Sequence, residues 1–113
     1  MKLINDKISI VELKGIAQEM FGNLVKAVVD VEKKIMVVGG ELHSDGEALL
    51  IENGSKQQYL WGINIYPDLK DDSWIEFDSL INLRPSQGNR SRSIDDIEIR
   101  KSIIEIVNNL VKK

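Results

Sequence analysis

The chain reads as an α+β domain. The expected architecture is two antiparallel β-hairpins forming one sheet, with N- and C-terminal helices packed on one face and a short middle helix. Three observations predict it. Apolar residues recur at helical spacing near both ends of the chain. Between them lie short segments rich in valine and isoleucine, bounded by glycine, proline and asparagine. The resulting order is helix, hairpin, short helix, hairpin, helix. Helices on one face of a mainly antiparallel sheet bury those patterns together.

The first helix is predicted from about Ser9 to Phe21. Ser9 and Glu12 have capping-box spacing, and Ile8 and Leu13 are placed for a hydrophobic staple. Leu13, Ile16, Ala17 and Met20 form the expected buried face, and Gly22 ends the helix. Residues 24–31 and 35–42 read as a hairpin across Glu32, Lys33 and Lys34. Residues 2–4 are an optional edge strand. Ser44 and Glu47 repeat the capping-box spacing, so a short helix is predicted over residues 45–53; a strand ending at Asn53 and Gly54 is the rival.

Residues 60–66 read as a strand closed by Pro67. Residues 74–83 alternate, with Ile75, Phe77, Ile81 and Leu83 on one side and Glu76, Asp78 and Asn82 on the other. This predicts a second hairpin. Residues 84–92 form a loop. The last helix is predicted over residues 95–111, with Ile97, Ile103, Ile104, Val107, Leu110 and Val111 as its apolar stripe.

Composition limits the function. The 113 residues suit one domain, and 42% are hydrophobic, enough for a continuous core. Cysteine is absent, which excludes disulfides, thiol nucleophiles and cysteine-based zinc sites. The start of the chain lacks the apolar run of a signal peptide, and no apolar stretch approaches the ~20 residues of a membrane span. The expected location is cytoplasmic, with no membrane partner. Net charge is −3, so nucleic-acid binding would have to be local and is not favoured.

Three constellations carry candidate chemistry. In the segment 84–92, Arg84, Arg90 and Arg92 stand with Gln87 and Asn89, without a carboxylate, just before a predicted helix start. Guanidinium forks beside helix N–H groups suit an anion. The competing reading is a surface loop whose arginines pair with Asp95, Asp96 and Glu98. His43, the only histidine, lies between Glu41 and Asp45. It is a candidate general base, or else a structural residue beside a helix cap. Asp78 is the candidate carboxylate of the second hairpin, with Asn64 on the partner strand. Its face suits Mg²⁺ chemistry or plain solvation. No metal site is assigned and no cofactor is indicated.

The runs from Leu60 to Pro67, Ile75 to Ser79 and Arg84 to Arg92, with Ala27 to Glu32 and Gly39 to His43, resemble a family of small prokaryotic proteins of unknown function. The resemblance covers nearly the whole chain and implies one compact domain. It brings no activity, ligand or catalytic residue.

Two function classes remain. The first is a binder of a phosphate-bearing or other anionic ligand through residues 84–92, with hydrolysis as an extension. His43 and Asp78 are then the candidate catalytic residues. Arg84, Gln87, Asn89, Arg90, Arg92 and Asn64 are the candidate ligand contacts. The second is a non-catalytic interaction or dimerisation module, such as a homodimer, in which the arginine loop is structural. A hollow lined by both His43 and Arg90 would favour the first.

Overall fold

The computed structural model describes Met1–Lys113. Its elements run β1 (Lys2–Ile4), β2 (Ile8–Ser9), α1 (Ile10–Met20), β3 (Val25–Asp30), β4 (Ile35–Val38), α2 (His43–Glu52), β5 (Leu60–Ile65), β6 (Ile75–Glu76), α3 (Ile97–Leu110) and β7 (Val111–Lys112). Short 3₁₀ turns occupy Gln57–Tyr59, Asp72–Trp74, Leu80–Asn82 and Pro85–Gln87. The main sheet is antiparallel throughout, in the order β1-β4-β3-β5-β6. A separate parallel pair, β2 with β7, ties the start of α1 to the end of α3.

The α+β class is as predicted, both hairpins form, the second with a much shorter outer strand, and residues 2–4 are the edge strand. Side chains alternate across a sheet, and here both faces are covered. Val25, Ala27, Val29, Met36, Val38, Trp61, Ile63 and Ile65 join Leu13 and Ala17 of α1 and Ile103, Ile106, Val107 and Leu110 of α3 in the larger core. Val28, Val37, Leu50 and Leu60 form a second core, under α2. Val28 and Val37 therefore face α2, rather than lying across from the terminal helices. Gly46 makes the close approach of α2 to the sheet feasible: a Cβ there would sit 3.0 Å from the Val28 methyl.

Ser9 caps α1 as expected, accepting the Glu12 N–H at 3.0 Å. Met20 and, in α3, Ile97 and Ile104 are exposed, so the predicted buried faces are narrower; Ile106 takes the inward place in α3. Residues 43–52 are helical, and the rival strand does not form. The helix starts two residues earlier than expected: Leu42, and not Ser44, is its N-cap residue, and the Asp45 carboxylate in the first turn reaches back to accept the Leu42 N–H at 3.3 Å.

The predicted strand over residues 74–83 is the main correction. Pairing stops after Glu76. The chain then folds over the face of β5 that carries Gly62, bringing Ser79 against Gly62 and Ile81 against the second core. Gly62 has no side chain to obstruct this: a Cβ would lie 2.6 Å from the Ser79 Cβ. Leu83, expected to be inward, is exposed, and Asn82, expected to be outward, is fully buried.

Candidate functional site

The short β6 leaves the outer edge of β5 unpaired beside residues 60 and 62, and buried backbone groups must find partners. Side chains supply them. The Gly62 N–H donates to Asn82 Oδ1 at 2.8 Å, and Asn82 Nδ2 donates back to the Gly62 carbonyl at 2.9 Å. Arg84 donates to the carbonyls of Leu60, Gln57 and Ile81, and its guanidinium lies 4.6 Å from the Trp61 ring. Burial lowers the Arg84 pKa, an effect that the Glu47 carboxylate opposes. The arginine is thus a mortar between β5 and the loop.

The rest of the predicted anion loop divides sharply. Gln87 donates to the Gln58 carbonyl at 3.2 Å. Asn89 is buried; its Nδ2 donates to the carbonyls of Asn82, Ser91 and Ser93, and its Oδ1 accepts the Asp95 N–H. Arg90 and Arg92 remain exposed. The Arg90 backbone N–H donates to Asp95, but neither arginine forms an ion pair with Asp95, Asp96 or Glu98. Instead Arg92 reaches in the opposite direction and binds Asp78 through Nε at 2.8 Å.

That contact places Arg92 at one end of the sheet, where a polar row crosses three strands. Lys26 of β3 lies opposite Asn64 of β5, and Asn64 opposite Glu76 of β6. Asn64 Nδ2 donates to Glu76 Oε1 at 2.8 Å and to the Asp78 carbonyl at 3.4 Å. Its Oδ1 is buried with no hydrogen-bond partner. Glu76 also accepts the Tyr66 hydroxyl at 3.0 Å. Burial, followed by this carboxylate, raises the Tyr66 pKa.

The N-terminus of α2 starts over this row. His43 Nε2 is 2.8 Å from the Ile63 carbonyl. A carbonyl only accepts, so Nε2 carries the proton and Nδ1 keeps its lone pair. Burial is the largest influence on the imidazole and lowers its pKa; the Ile63 bond opposes this, Lys26 adds to it, and Asn64 and Asp78 oppose it. The result is a cleft of about 360 Å³ lined by Lys26, Leu42, His43, Ser44, Ser79, Leu80, Ile81 and Arg92.

Of the predicted site residues, His43 and Arg92 line the cleft; Asp78, bound to Arg92, and Asn64, bonded to the Asp78 carbonyl, lie behind its lining, and Arg84, Gln87, Asn89 and Arg90 are outside it. The hollow lined by both His43 and Arg90 that would favour ligand binding does not form; His43 shares its hollow with Arg92 instead. Lys26 and Ser44 are the residues that the local pattern did not single out. A signal for Lys26 existed: it breaks a valine-rich strand on the face that also carries Asp30, two turns of the pleat away. Asp30 is a further buried polar residue that escaped notice. Its carboxylate accepts the N–H groups of Glu32 and Lys33 and the Ser55 hydroxyl, fixing the β3–β4 turn to the chain after α2. No group of three or more His, Asp or Glu side chains is placed to hold a metal ion, and no helix is long and apolar enough to cross a membrane.

Fold and cleft together define a small α+β protein with a basic, partly apolar hollow at one end of its sheet. The chain belongs to the family described as Protein of unknown function (DUF5674), which residues 2–110 match. No curated protein and no solved structure matches it.

Proposed function

We propose that this protein binds a phosphate-bearing or other anionic small molecule in the cleft between α2 and the segment 77–92. The convergence of Lys26, His43, Ser44 and Arg92 on one hollow carries this reading. Arg92 uses only Nε on Asp78, so its two terminal nitrogens face no protein acceptor. Lys26 forms no ion pair. The first N–H groups of α2 have no carbonyl within the helix to bond, and the helix dipole adds positive potential there. These features complement a multi-oxygen anion. Arg92 is the member of the predicted loop that serves the ligand; Arg90 and Gln87 lie outside the lining.

Hydrolysis is the extension of this reading. The free Nδ1 of a neutral His43 is suited to accept a proton, with Asp78 positioning Arg92 and favouring the charged imidazole. Equilibrium titration with inorganic phosphate and sugar phosphates tests the binding. Arg92→Ala and Lys26→Ala should each weaken it about tenfold or more, on the scale of a lost charge-assisted contact. Arg90→Ala should leave it nearly unchanged. Equal affinity in all three variants would remove the cleft as the site. Turnover of p-nitrophenyl phosphate that His43→Asn abolishes would support hydrolysis; a wild type without turnover would leave binding alone.

A second reading, a non-catalytic interaction or dimerisation module, is favoured by the inward commitment of Arg84, Gln87 and Asn89 to backbone groups. It predicts a concentration-dependent dimer in sedimentation experiments and no response to small anions.

A further inference from the structure

The cleft does not end at its basic wall. Lys26 and Leu42 also line a neighbouring hollow of about 440 Å³, together with Glu19, Met20, Phe21 and Glu41. The two hollows adjoin, with Lys26 and Leu42 in the lining of both. Along this path stand large apolar side chains that the fold leaves exposed: Leu80 at 67%, Leu42 at 57%, Phe21 at 43% and Met20 at 37%. Apolar groups brought together in a concave surface beside fixed charges mark a ligand site more than scattered exposure does. The boundary between the hollows is itself amphipathic, because the Lys26 ammonium lies 4.8 Å from the centre of the Phe21 ring.

An inorganic anion would leave this surface unused. We propose that the ligand is an anion with an apolar body, a monoalkyl or monoaryl phosphate or a carboxylate of the same shape. Its head group sits among Lys26, His43, Ser44 and Arg92. Its apolar part lies over Leu42 and Leu80 and extends toward Met20 and Phe21. Glu19 and Glu41, at the far end, disfavour a second negative charge and so set the direction in which the molecule lies. This inference rests on the anion-binding reading and adds the chemistry of the rest of the ligand.

The test compares three probes on the intact chain by NMR titration: inorganic phosphate, hexyl phosphate below its micelle concentration, and 1-hexanol. Each methylene removed from water is worth about fourfold in affinity, so covering roughly two or three of the methylenes should make hexyl phosphate bind on the order of 30-fold tighter than phosphate. Met20→Ala, in the neighbouring hollow and outside the lining of the anion cleft, should cut that advantage while leaving phosphate affinity unchanged. Equal affinities for phosphate and hexyl phosphate would overturn the apolar extension and leave the anion site standing. Binding of neither would remove both. Hexanol binding as tightly as hexyl phosphate would also remove both, since the hollow would then recognise only apolar bulk.

Discussion

Three arginines within nine residues are chemically alike and physically unlike. Arg84 is half-buried against Trp61 and donates to three carbonyls, Arg90 is exposed, and Arg92 bridges to Asp78. What separates them is the distant edge of β5, which no local pattern in residues 84–92 reports. Arg84→Ala should therefore lower the stability by about 2–3 kcal/mol, the scale of hydrogen bonds made by a charged group. Arg90→Ala should change it by less than about 0.5 kcal/mol, as exposed substitutions do. Urea denaturation of the two variants checks both values; similar midpoints would contradict the division of labour. Asn82 follows the same logic. Alanine there would leave the buried N–H and carbonyl of Gly62 unpaired, at about 1–3 kcal/mol for each group without water access. An unchanged midpoint for Asn82→Ala would show that another group satisfies the strand edge.

At the scale of elements, helices were more legible than strands. The cap of α1 was readable because it is local: Ser9 lies three residues from the N–H that it accepts. Ser9→Ala should cost about 1 kcal/mol in thermal or chemical unfolding, the usual loss for a helix cap. Residues 74–83 misled for the opposite reason. Their alternation is real, but the partner surface is Gly62, and a glycine in a strand invites close backbone or side-chain approach rather than continued pairing. Ser79 occupies that space. Gly62→Ala should destabilise the protein by about 1–3 kcal/mol through overpacking. If it were tolerated without loss, the folded-over segment would not be packed on β5. The same geometry explains the candidate site. Asp78 and Arg92 reach the polar row because the chain leaves the sheet after Glu76, an event the alternation concealed, whereas the pairing of Asn64 with Glu76 was open to inference from the hairpin.

At the scale of the whole molecule, the sheet is buried on both sides over most of its area and wet at one end. The terminal helices cover one face, and α2 with residues 79–82 covers the other. The cleft opens where α2 begins, so its floor is rigid sheet and its walls are a helix start and a well-bonded loop. Burial gives His43 a folded pKa below its unfolded value of 6.5. The unfolded chain therefore binds the proton first on acidification. The stability contributed by the neutral imidazole is complete above about 6.5 and is lost as the pH falls from there toward the lower folded value. His43→Gln should flatten this part of the stability profile; an equal slope in the variant would assign it to another group. A bound anion favours the protonated imidazole, so affinity should rise over the same fall in pH.

Polar residues from four separate segments meet in one cleft, and the proposed anion site stands or falls on what binds there. The most direct measurement is a map of amide shifts across the ¹⁵N-labelled protein during titration with phosphate into the millimolar range. Saturable shifts at Lys26, His43, Ser44, Ser79 and Arg92 that share one dissociation constant are expected, with Arg84 and Asn89 nearly still. No saturable shift at these positions, or shifts confined to the neighbourhood of Arg90, would contradict it.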